Sequence, residues 1–283
     1  MKTLVFGTSG FVGFYLKRYF NAVGTAQSDK NGNRKVNFLN ENEIVEIINS
    51  EKPDLIINSA GLTSVDECER NPDLAFKLNG DSVRIIARES QKINAKFVQM
   101  STDYVFDGAK GNYKETDSTN PINVYGKSKL LGEENALNHL DPIVLRIEMP
   151  YGINLAKNKE VFFESIVNNL RASKIINVAN DQIISPTYVE DIANAIDALV
   201  KNEQKGIFHL ASKEHFSRYK FAMKIADVFN FDKSLIKETS LDSFNLAAKR
   251  PKNTFLNVDE ISKFFEMKAV EDNLRNIKQQ MGL

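Results

Sequence analysis

The stretch that decides the fold is Leu4-Val5-Phe6-Gly7-Thr8-Ser9-Gly10-Phe11-Val12-Gly13, near the start of the chain. Its apolar run ends at Gly7, and from Phe11 onward apolar side chains recur at helical spacing. Glycines spaced Gly-x-x-Gly-x-x-Gly between a strand and a helix permit a tight turn and let the backbone approach a diphosphate. The N–H groups of the helix start then favour the anion. The stretch therefore predicts a dinucleotide-binding loop, with cofactor contacts from Gly7, Ser9, Gly10, Phe11, Val12 and Gly13.

Beyond this loop, short apolar runs alternate with longer amphipathic ones. Strands are predicted at residues 4–6, 22–27, 55–58, 97–100, 143–146 and 207–210. Helices are predicted at residues 11–20, 41–50, 71–91, 123–137, 160–172, 189–200, 217–229, 259–265 and 270–281. Short, continuously apolar strands separated by helices indicate an α/β fold, a Rossmann-type doubly wound parallel sheet covered on both faces.

The pattern loosens after Tyr151-Gly152, which predicts a second, smaller unit. Residues 1–150, with part of 175–210, are assigned to an NAD(P)-binding Rossmann domain. The remaining segments of 151–283 are assigned to a C-terminal lobe that binds the substrate and is interleaved with the last elements of the sheet.

Composition argues against several classes of protein. Lys plus Arg and Asp plus Glu number 37 each among 283 residues, so no overall field draws the chain to nucleic acid or an acidic membrane. Cys68 is the single cysteine, which rules out an internal disulfide and favours a reducing cytoplasm. Neither a signal-peptide pattern nor an apolar run of ~18 residues is seen. The three histidines lack metal-ligand spacing, and no metal is predicted.

The candidate catalytic residues are Thr102, Tyr125 and Lys129. Thr102 lies at the end of the fourth predicted strand, where a parallel sheet normally builds its site, and Tyr125 and Lys129 lie four residues apart on one helix face. A phenol has an unperturbed pKa of ~10. A nearby ammonium, together with a positively charged oxidised nicotinamide, is expected to lower this pKa towards working pH. Alone, Tyr-x-x-x-Lys also arises by chance on helix surfaces. Together with the glycine loop, it predicts an acid–base pair beside a nicotinamide.

These segments carry a resemblance to the extended short-chain dehydrogenase/reductases and, within them, to the dTDP-4-dehydrorhamnose reductases. The resemblance covers nearly the whole chain. The matching segments are residues 7–13, 58–61, 63–66, 101–108, 120–133, 181–187 and 249–251.

The resemblance implies a reductase of nucleotide-sugar and polysaccharide biosynthesis, which takes hydride from NAD(P)H onto the C4 keto group of a 6-deoxy-4-keto nucleotide sugar. It makes Tyr125 the proton donor, Lys129 a ribose-binding group that modulates the Tyr125 pKa, and Thr102 the hydroxyl that positions the carbonyl. Further cofactor contacts are implied at Ala60 and Gly61. Substrate contacts are implied at Thr63, Val65, Tyr104, Met149 and Arg250, where Arg250 would approach the diphosphate or else be a solvated turn residue. Asn79 is either a structural or relay residue or a helix-surface side chain.

Cofactor preference depends on the residues after the second strand. Ser28 is neutral and is assigned to the cofactor site, Asp29 follows it, and Lys30 and Arg34 are close. The neutral and basic residues favour NADP(H), with NAD(H) as the alternative.

The chain departs from the resembled family after the fifth predicted strand. Where the family usually reads Arg-Thr-Ser-Trp-Val-Tyr-Gly, residues 146–152 read Arg-Ile-Glu-Met-Pro-Tyr-Gly, which brings Glu148 close to the site and leaves the sugar undetermined. Some family members bind magnesium across a dimer. Glu190 matches one such position, but the first helix offers Phe14-Tyr15 and no acid, so neither that metal nor that dimer is predicted, and another homodimer is left open.

Two other functions are compatible with these residues. A regulatory subunit of methionine adenosyltransferase resembles the same family and would bind NADP without turnover. A nucleotide-sugar epimerase on the same scaffold would retain NAD⁺ and recycle it.

Overall fold

The computed structural model describes residues 1–28, 32–157 and 159–283 of the chain. Its strands are β1 Thr3–Phe6, β2 Val23–Ala26, β3 Arg34–Lys35, β4 Leu55–Asn58, β5 Lys96–Thr102, β6 Pro142–Ile147, β7 Pro150–Tyr151, β8 Ile176–Ala179, β9 Ile183–Ile184, β10 Thr187–Tyr188, β11 Gly206–Leu210, β12 Phe216–Ser217 and β13 Ile236–Thr239. Its α-helices are α1 Phe11–Tyr19, α2 Glu41–Glu51, α3 Val65–Arg70, α4 Pro72–Phe76, α5 Ser82–Lys92, α6 Val124–Ala136, α7 Phe162–Arg171, α8 Val189–Lys201, α9 Arg218–Phe229 and α10 Val270–Gln280.

A seven-stranded parallel sheet organises the larger part of the molecule. Its strand order is β11-β6-β5-β4-β1-β2-β3, so the chain winds outward from β1 in both directions. This arrangement confirms the predicted Rossmann-type fold. Each of the six predicted strands is found. Strand β3 is a short, exposed edge strand that was not predicted, because it has no apolar pattern.

Alternating side chains cover the two faces of this sheet. Val5 and Ile57 point into one apolar cluster, which α8 also lines, whereas Leu4, Phe6 and Ile56 point into another. Because successive residues of a strand face opposite sides, strands buried on both faces must be apolar throughout. This requirement is the physical reason for the continuous apolar runs in the sequence.

A third apolar cluster lies outside the sheet. It joins residues of α7, α9 and α10, including Phe163, Phe221 and Leu274, and the small parallel pair β8 and β13 lies beside them. Between α7 and α9, helix α8 packs on the large sheet and strand β11 pairs with β6 as part of that sheet. The elements of the third cluster are therefore interleaved along the chain with the last elements of the large sheet.

Two predicted helices are corrected by the structure. Residues 71–91 are not one regular α-helix, because a π-helical segment, Lys77–Asp81, interrupts the run between α4 and α5. Residues 259–265 form a single 3₁₀ turn, Ile261–Lys263, rather than an α-helix. In that short segment one turn is enough to bury Ile261 and to pack Phe264 and Phe265 on the core.

Within residues 1–28, 32–157 and 159–283, no helix combines the length and the apolar character needed to cross a membrane. Over the same ranges, no group of three or more His, Cys, Asp or Glu side chains has the arrangement of a metal site.

Candidate active site

The loops that follow β1, β4, β5 and β6 meet at one edge of the large sheet, because its strands are parallel. The loop after β1 carries the glycines, and the loop after β4 carries Ala60 and Gly61. Strand β5 ends at Thr102, and Glu148 follows β6. The sheet thus brings together residues that were predicted from separate parts of the sequence.

The glycine loop is a tight turn that leaves no room for side chains at two positions. Gly7 has a φ of +84°, and a Cβ added there would lie 2.6 Å from the Ala60 backbone. A Cβ on Gly13 would lie 2.2 Å from the Gly7 carbonyl oxygen, whereas a Cβ on Gly10 would lie 3.2 Å from the same oxygen. Gly10 precedes α1 without a side-chain cap, so no capping side chain competes with an anion for the first N–H groups. Strand, turn and helix start together fit a dinucleotide diphosphate.

The other predicted cofactor residues differ in what they can offer. Ser9 is exposed and Val12 is partly buried, but the Phe11 side chain belongs to the apolar core, which leaves only its backbone for a ligand. Ala60 is buried, and its N–H donates to Asn58 Oδ1 at 3.1 Å. Gly61 is exposed on the next turn of the chain.

The residues that bear on cofactor preference lie past the end of β2. Ser28 is partly buried there, and Asp29 and Lys30 lie outside the described residues. Arg34 begins β3, where its guanidinium is 3.5 Å from Glu51 while its side chain is 68% exposed. An ion pair this exposed is weak, so Arg34 remains accessible to a ligand.

Asn79 fixes the loop after β4 against α6. The π-helical segment turns its side chain inward, where its Oδ1 accepts the Leu62 N–H at 2.8 Å and its Nδ2 donates to the Leu62 carbonyl at 3.0 Å and to Ser128 Oγ at 2.9 Å. The helix-surface alternative for Asn79 is therefore wrong. Close approach is possible because Gly132 faces this segment: a Cβ there would lie 2.2 Å from the Asn79 carbonyl oxygen.

Helix α6 carries Tyr125 and Lys129 to the end of β5. Asn123 caps the helix by accepting the Gly126 N–H at 2.8 Å. Gly126 packs closely on the segment that follows β5, where a Cβ on Gly126 would lie 2.1 Å from the Tyr104 carbonyl oxygen. The Tyr125 side chain thereby lies near Thr102, whose hydroxyl acts on the pKa of the phenol. Lys129 is buried, and its Nζ donates to the Met100 carbonyl at 2.6 Å. The three predicted catalytic residues lie together.

The pKa values of this pair differ from the sequence expectation. Burial raises the pKa of Tyr125 above its ordinary value, the neighbouring Thr102 hydroxyl opposes the rise, and the charge of Asp103 adds to it. Burial lowers the pKa of Lys129 to about 8, although Glu133 acts in the opposite direction. The expected lowering of the Tyr125 pKa is therefore not produced by the protein groups around it, because desolvation outweighs them. Tyr125 is a protonated phenol at neutral pH.

Glu133 of α6 and Arg146 of β6 form a buried ion pair close to Lys129. Glu133, one turn after Lys129, binds Arg146 through two hydrogen bonds of 2.6 and 2.9 Å and also accepts a short hydrogen bond from Ser101. Arg146 Nη1 lies 3.2 Å from His209 Nε2. Burial lowers the pKa of His209 to about 3, so this histidine is a neutral acceptor with a structural role.

Tyr104 lies beside Tyr125, directly after the end of β5. Its ring packs edge-on against Tyr125 with centroids 5.8 Å apart, and its hydroxyl accepts from Gln182 Nε2 at 3.4 Å. The charges of Arg218 and Arg250 both lower its pKa, although burial raises it overall. Aromatic, amide and cationic groups therefore converge around Tyr104.

The remaining predicted substrate residues differ in their burial and in their partners. Arg250 is mostly buried and bonded to Asp66 at 3.0 Å, so the solvated alternative for Arg250 is wrong. Thr63 is exposed and Val65 partly buried where α3 begins. Met149 adopts a φ of +35° and packs against the third cluster.

Sequence reasoning missed Arg218 and Thr254. Arg218 begins α9, forms no ion pair with any described carboxylate within 4.0 Å, and has a buried Nε without a hydrogen-bond partner there. Its charge nevertheless acts on Asp103, Tyr104 and Glu148. No local pattern distinguishes it from other helix-start cations, because its importance comes from the fold.

Fold and site together define a Rossmann-type α/β protein with a threonine–tyrosine–lysine cluster at the carboxyl edge of its sheet. The chain belongs to the RmlD substrate binding domain family, whose model matches residues 1–281. This match confirms the resemblance stated from the sequence.

Individual relatives span most of the chain. It is 31% identical over 284 residues to dTDP-4-dehydrorhamnose reductase of Salmonella typhimurium, covering 94% of this chain and 93% of the relative. It is 33% identical over 273 residues to methionine adenosyltransferase 2 subunit beta of Pongo abelii, covering 92% and 81%. The crystal structure of dTDP-4-dehydrorhamnose reductase from Bacillus anthracis in complex with NADP matches with a TM-score of 0.90, 28% identity and coverage of 99% and 100%.

Proposed function

We propose that this chain is an NAD(P)H-dependent reductase that converts the C4 keto group of a 6-deoxy-4-keto nucleotide sugar to an alcohol, in nucleotide-sugar biosynthesis. The observation that carries the proposal is that Thr102, Tyr125 and Lys129 come together at the sheet edge that holds the glycine loop. The dTDP-4-dehydrorhamnose reductases among its relatives support this substrate class.

The protein groups divide the work of the reduction. The reduced nicotinamide supplies hydride to the C4 carbon when it is bound. Thr102 holds the carbonyl oxygen when its hydroxyl proton is not given to Asp103. Tyr125 donates its phenolic proton to the oxygen as negative charge develops there. Since burial raises the Tyr125 pKa, the phenol carries the required proton at neutral pH. Lys129, charged below about pH 8, holds the ribose and stabilises the phenolate left behind.

NADPH is the proposed cofactor, with NADH as the alternative. The glycine loop fits a dinucleotide diphosphate, and accessible Arg34 lies on the strand next to β2, where a basic group would meet a 2′-phosphate. The NADP complex of the Bacillus anthracis relative supports the preference. Comparison of the dissociation constants of NADPH and NADH by calorimetry tests it, and tighter binding of NADH would contradict it.

A panel assay tests the reaction. The chain is mixed with NADPH and freshly prepared 6-deoxy-4-keto nucleotide sugars that differ in base and sugar, and loss of NADPH absorbance is followed. Turnover of at least one sugar is expected. Product analysis must show a new hydroxyl at C4, and absence of turnover with every sugar would refute the proposal.

A regulatory role is the second candidate, because the chain is also similar to methionine adenosyltransferase 2 subunit beta. Tight NADPH binding without turnover, together with association with a methionine adenosyltransferase catalytic subunit, would favour it. Tightly retained NAD⁺ in the purified protein would instead point to an epimerase.

The organisation of the protein follows from the same proposal. We assign residues 1–150, with part of 175–210, to cofactor binding, and the remaining segments of 151–283 to a sugar-nucleotide lobe. Met149, directly after Glu148, packs against the third apolar cluster and supports this assignment. A cytoplasmic location and a homodimer remain predictions. Cell fractionation and sedimentation analysis test them.

A further inference from the structure

Asp103 and Glu148 are brought side by side by the register of the sheet. Thr102, at the end of β5, pairs with Ile147, at the end of β6, so the residues that follow them emerge next to each other. Thr254 joins the two carboxyl groups: its Oγ1 donates to Asp103 Oδ2 at 2.5 Å and lies 3.3 Å from Glu148 Oε1. The result is a bridged carboxyl pair directly behind the Thr102 hydroxyl.

This carboxyl pair has little to neutralise it. Asp103 is 4% exposed and Glu148 is 1% exposed, and Glu148 Oε2 has no hydrogen-bond partner among the described residues. The Arg218 charge reaches both groups, while Tyr104 and Tyr125 face Asp103 as neutral phenols. Two buried carboxylates so close together cannot both ionise readily, so they share a proton.

The proton has a preferred place. Burial raises the pKa of Asp103 to about 6, against the hydrogen bonds from Thr254 and Thr102. Burial and the neighbouring Asp103 raise the pKa of Glu148 well above its usual range. Near neutral pH, Glu148 is therefore protonated and Asp103 is mostly ionised. Glu148 can then donate to Thr254, which donates onward to Asp103.

The charge of Asp103 decides what the Thr102 hydroxyl can do. Thr102 Oγ1 donates to Asp103 Oδ1 at 3.0 Å and accepts the Tyr104 N–H at 3.2 Å. A hydroxyl has one proton, so Thr102 cannot donate to a substrate oxygen while an ionised Asp103 accepts that proton. A protonated Asp103 is itself a donor and can reverse the bond.

We propose that the Asp103–Glu148 pair is a positioning device for the reduction: protonated Asp103 donates to Thr102 and frees its hydroxyl for the sugar carbonyl oxygen, and ionised Asp103 withdraws that hydroxyl. The inference rests on the proposed reductase function. Glu148, in a place where the resembled family has a serine, holds Thr254 against Asp103. Asp103 contacts Thr102 and acts through that hydroxyl, so its role is to orient Thr102.

The first test is the pH dependence of kcat/KM for the keto sugar. The wild-type chain is expected to lose about tenfold or more as the pH rises past about 6, because a donor to the reacting oxygen is withdrawn. Asp103→Asn stays neutral at every pH and can donate to Thr102, so it should lack this fall and exceed the wild type in alkaline buffer. Thr102→Val should be slow at every pH and also lack the fall. A wild-type profile that is flat through this range, or the same fall in Asp103→Asn, would overturn the proposal.

The second test needs no substrate. Infrared spectra recorded in H₂O and in D₂O near neutral pH are subtracted to reveal the C=O band of a protonated carboxyl group. This band should be present in the wild type and in Asp103→Asn. It should be absent from Glu148→Gln. The matched variant Glu148→Gln keeps the neutral shape and should keep the fall near pH 6. A band that survives in Glu148→Gln, or is missing in the wild type, contradicts the pair. If no sugar is turned over, the proposed function fails while this measurement still decides the state of the pair.

Discussion

Removing the charge of Glu133 should strongly destabilise the protein. Glu133 and Arg146 are each 2% exposed and meet through a 2.6 Å contact. Glu133→Gln leaves the Arg146 guanidinium in the interior with neutral His209 as its polar neighbour. Breaking a buried pair by removing one charge costs about 3–5 kcal/mol, because the remaining ion is desolvated without compensation.

Urea unfolding measures this cost. With an m value of about 3 kcal/mol per M, the midpoint of Glu133→Gln should fall by about 1 M or more. The surface pair Lys205–Asp141 is the control: its groups are 3.0 Å apart but both are 65% exposed, so Lys205→Gln should cost less than about 1 kcal/mol.

A double variant separates charge from packing. Glu133→Leu with Arg146→Met removes both ions and fills the space with apolar groups, a change that is often neutral or stabilising. Most of the stability lost in Glu133→Gln should therefore return. The reasoning is refuted if Glu133→Gln costs no more than Lys205→Gln, or if the double variant is less stable than the single one.

Three further predictions concern the site. The Lys129 pKa is lowered from 10.5 to about 8, so between these values the unfolded chain binds more protons than the folded one. The free energy of unfolding should thus rise with pH across this window relative to Lys129→Met, and parallel curves would contradict the buried ammonium. Gly13→Ala should weaken NADPH binding by about tenfold or more, since its Cβ meets the Gly7 carbonyl at 2.2 Å, whereas Gly10→Ala, at 3.2 Å, should have a smaller effect in the same calorimetric titration. Arg218→Met should raise the KM for the nucleotide sugar by about 10- to 100-fold and leave the NADPH dissociation constant unchanged, because one charge-assisted bond is worth about 1.5–3 kcal/mol. An unchanged KM would show that Arg218 does not contact the substrate.

Local signals explain which parts of the molecule could be predicted. The glycine loop is encoded in ten consecutive residues, and the catalytic helix shows its four-residue spacing directly, so both were found from sequence. The π-helical turn around Asn79 depends on how closely Gly132 lets α6 approach, and helical periodicity cannot show it. Edge strand β3 has two exposed residues and no apolar pattern to detect.

The carboxyl pair shows the same limit within the site. Glu148 stood out as a departure from the resembled family, but its bridge to Asp103 needs Thr254, 151 positions beyond Asp103 in the chain. Charge states were also beyond sequence reasoning, because desolvation dominates them. The sequence predicts that Lys129, together with an oxidised nicotinamide, lowers the Tyr125 pKa, whereas burial among the protein groups raises it.

The most direct test of the central claim compares Tyr125→Phe with the wild type in the NADPH oxidation assay, using a 6-deoxy-4-keto nucleotide sugar that the wild type reduces. Loss of the general acid should lower kcat by about 10²-fold or more, while the dissociation constant for NADPH stays the same. A near-normal rate in Tyr125→Phe would contradict the role of Tyr125 as the proton donor.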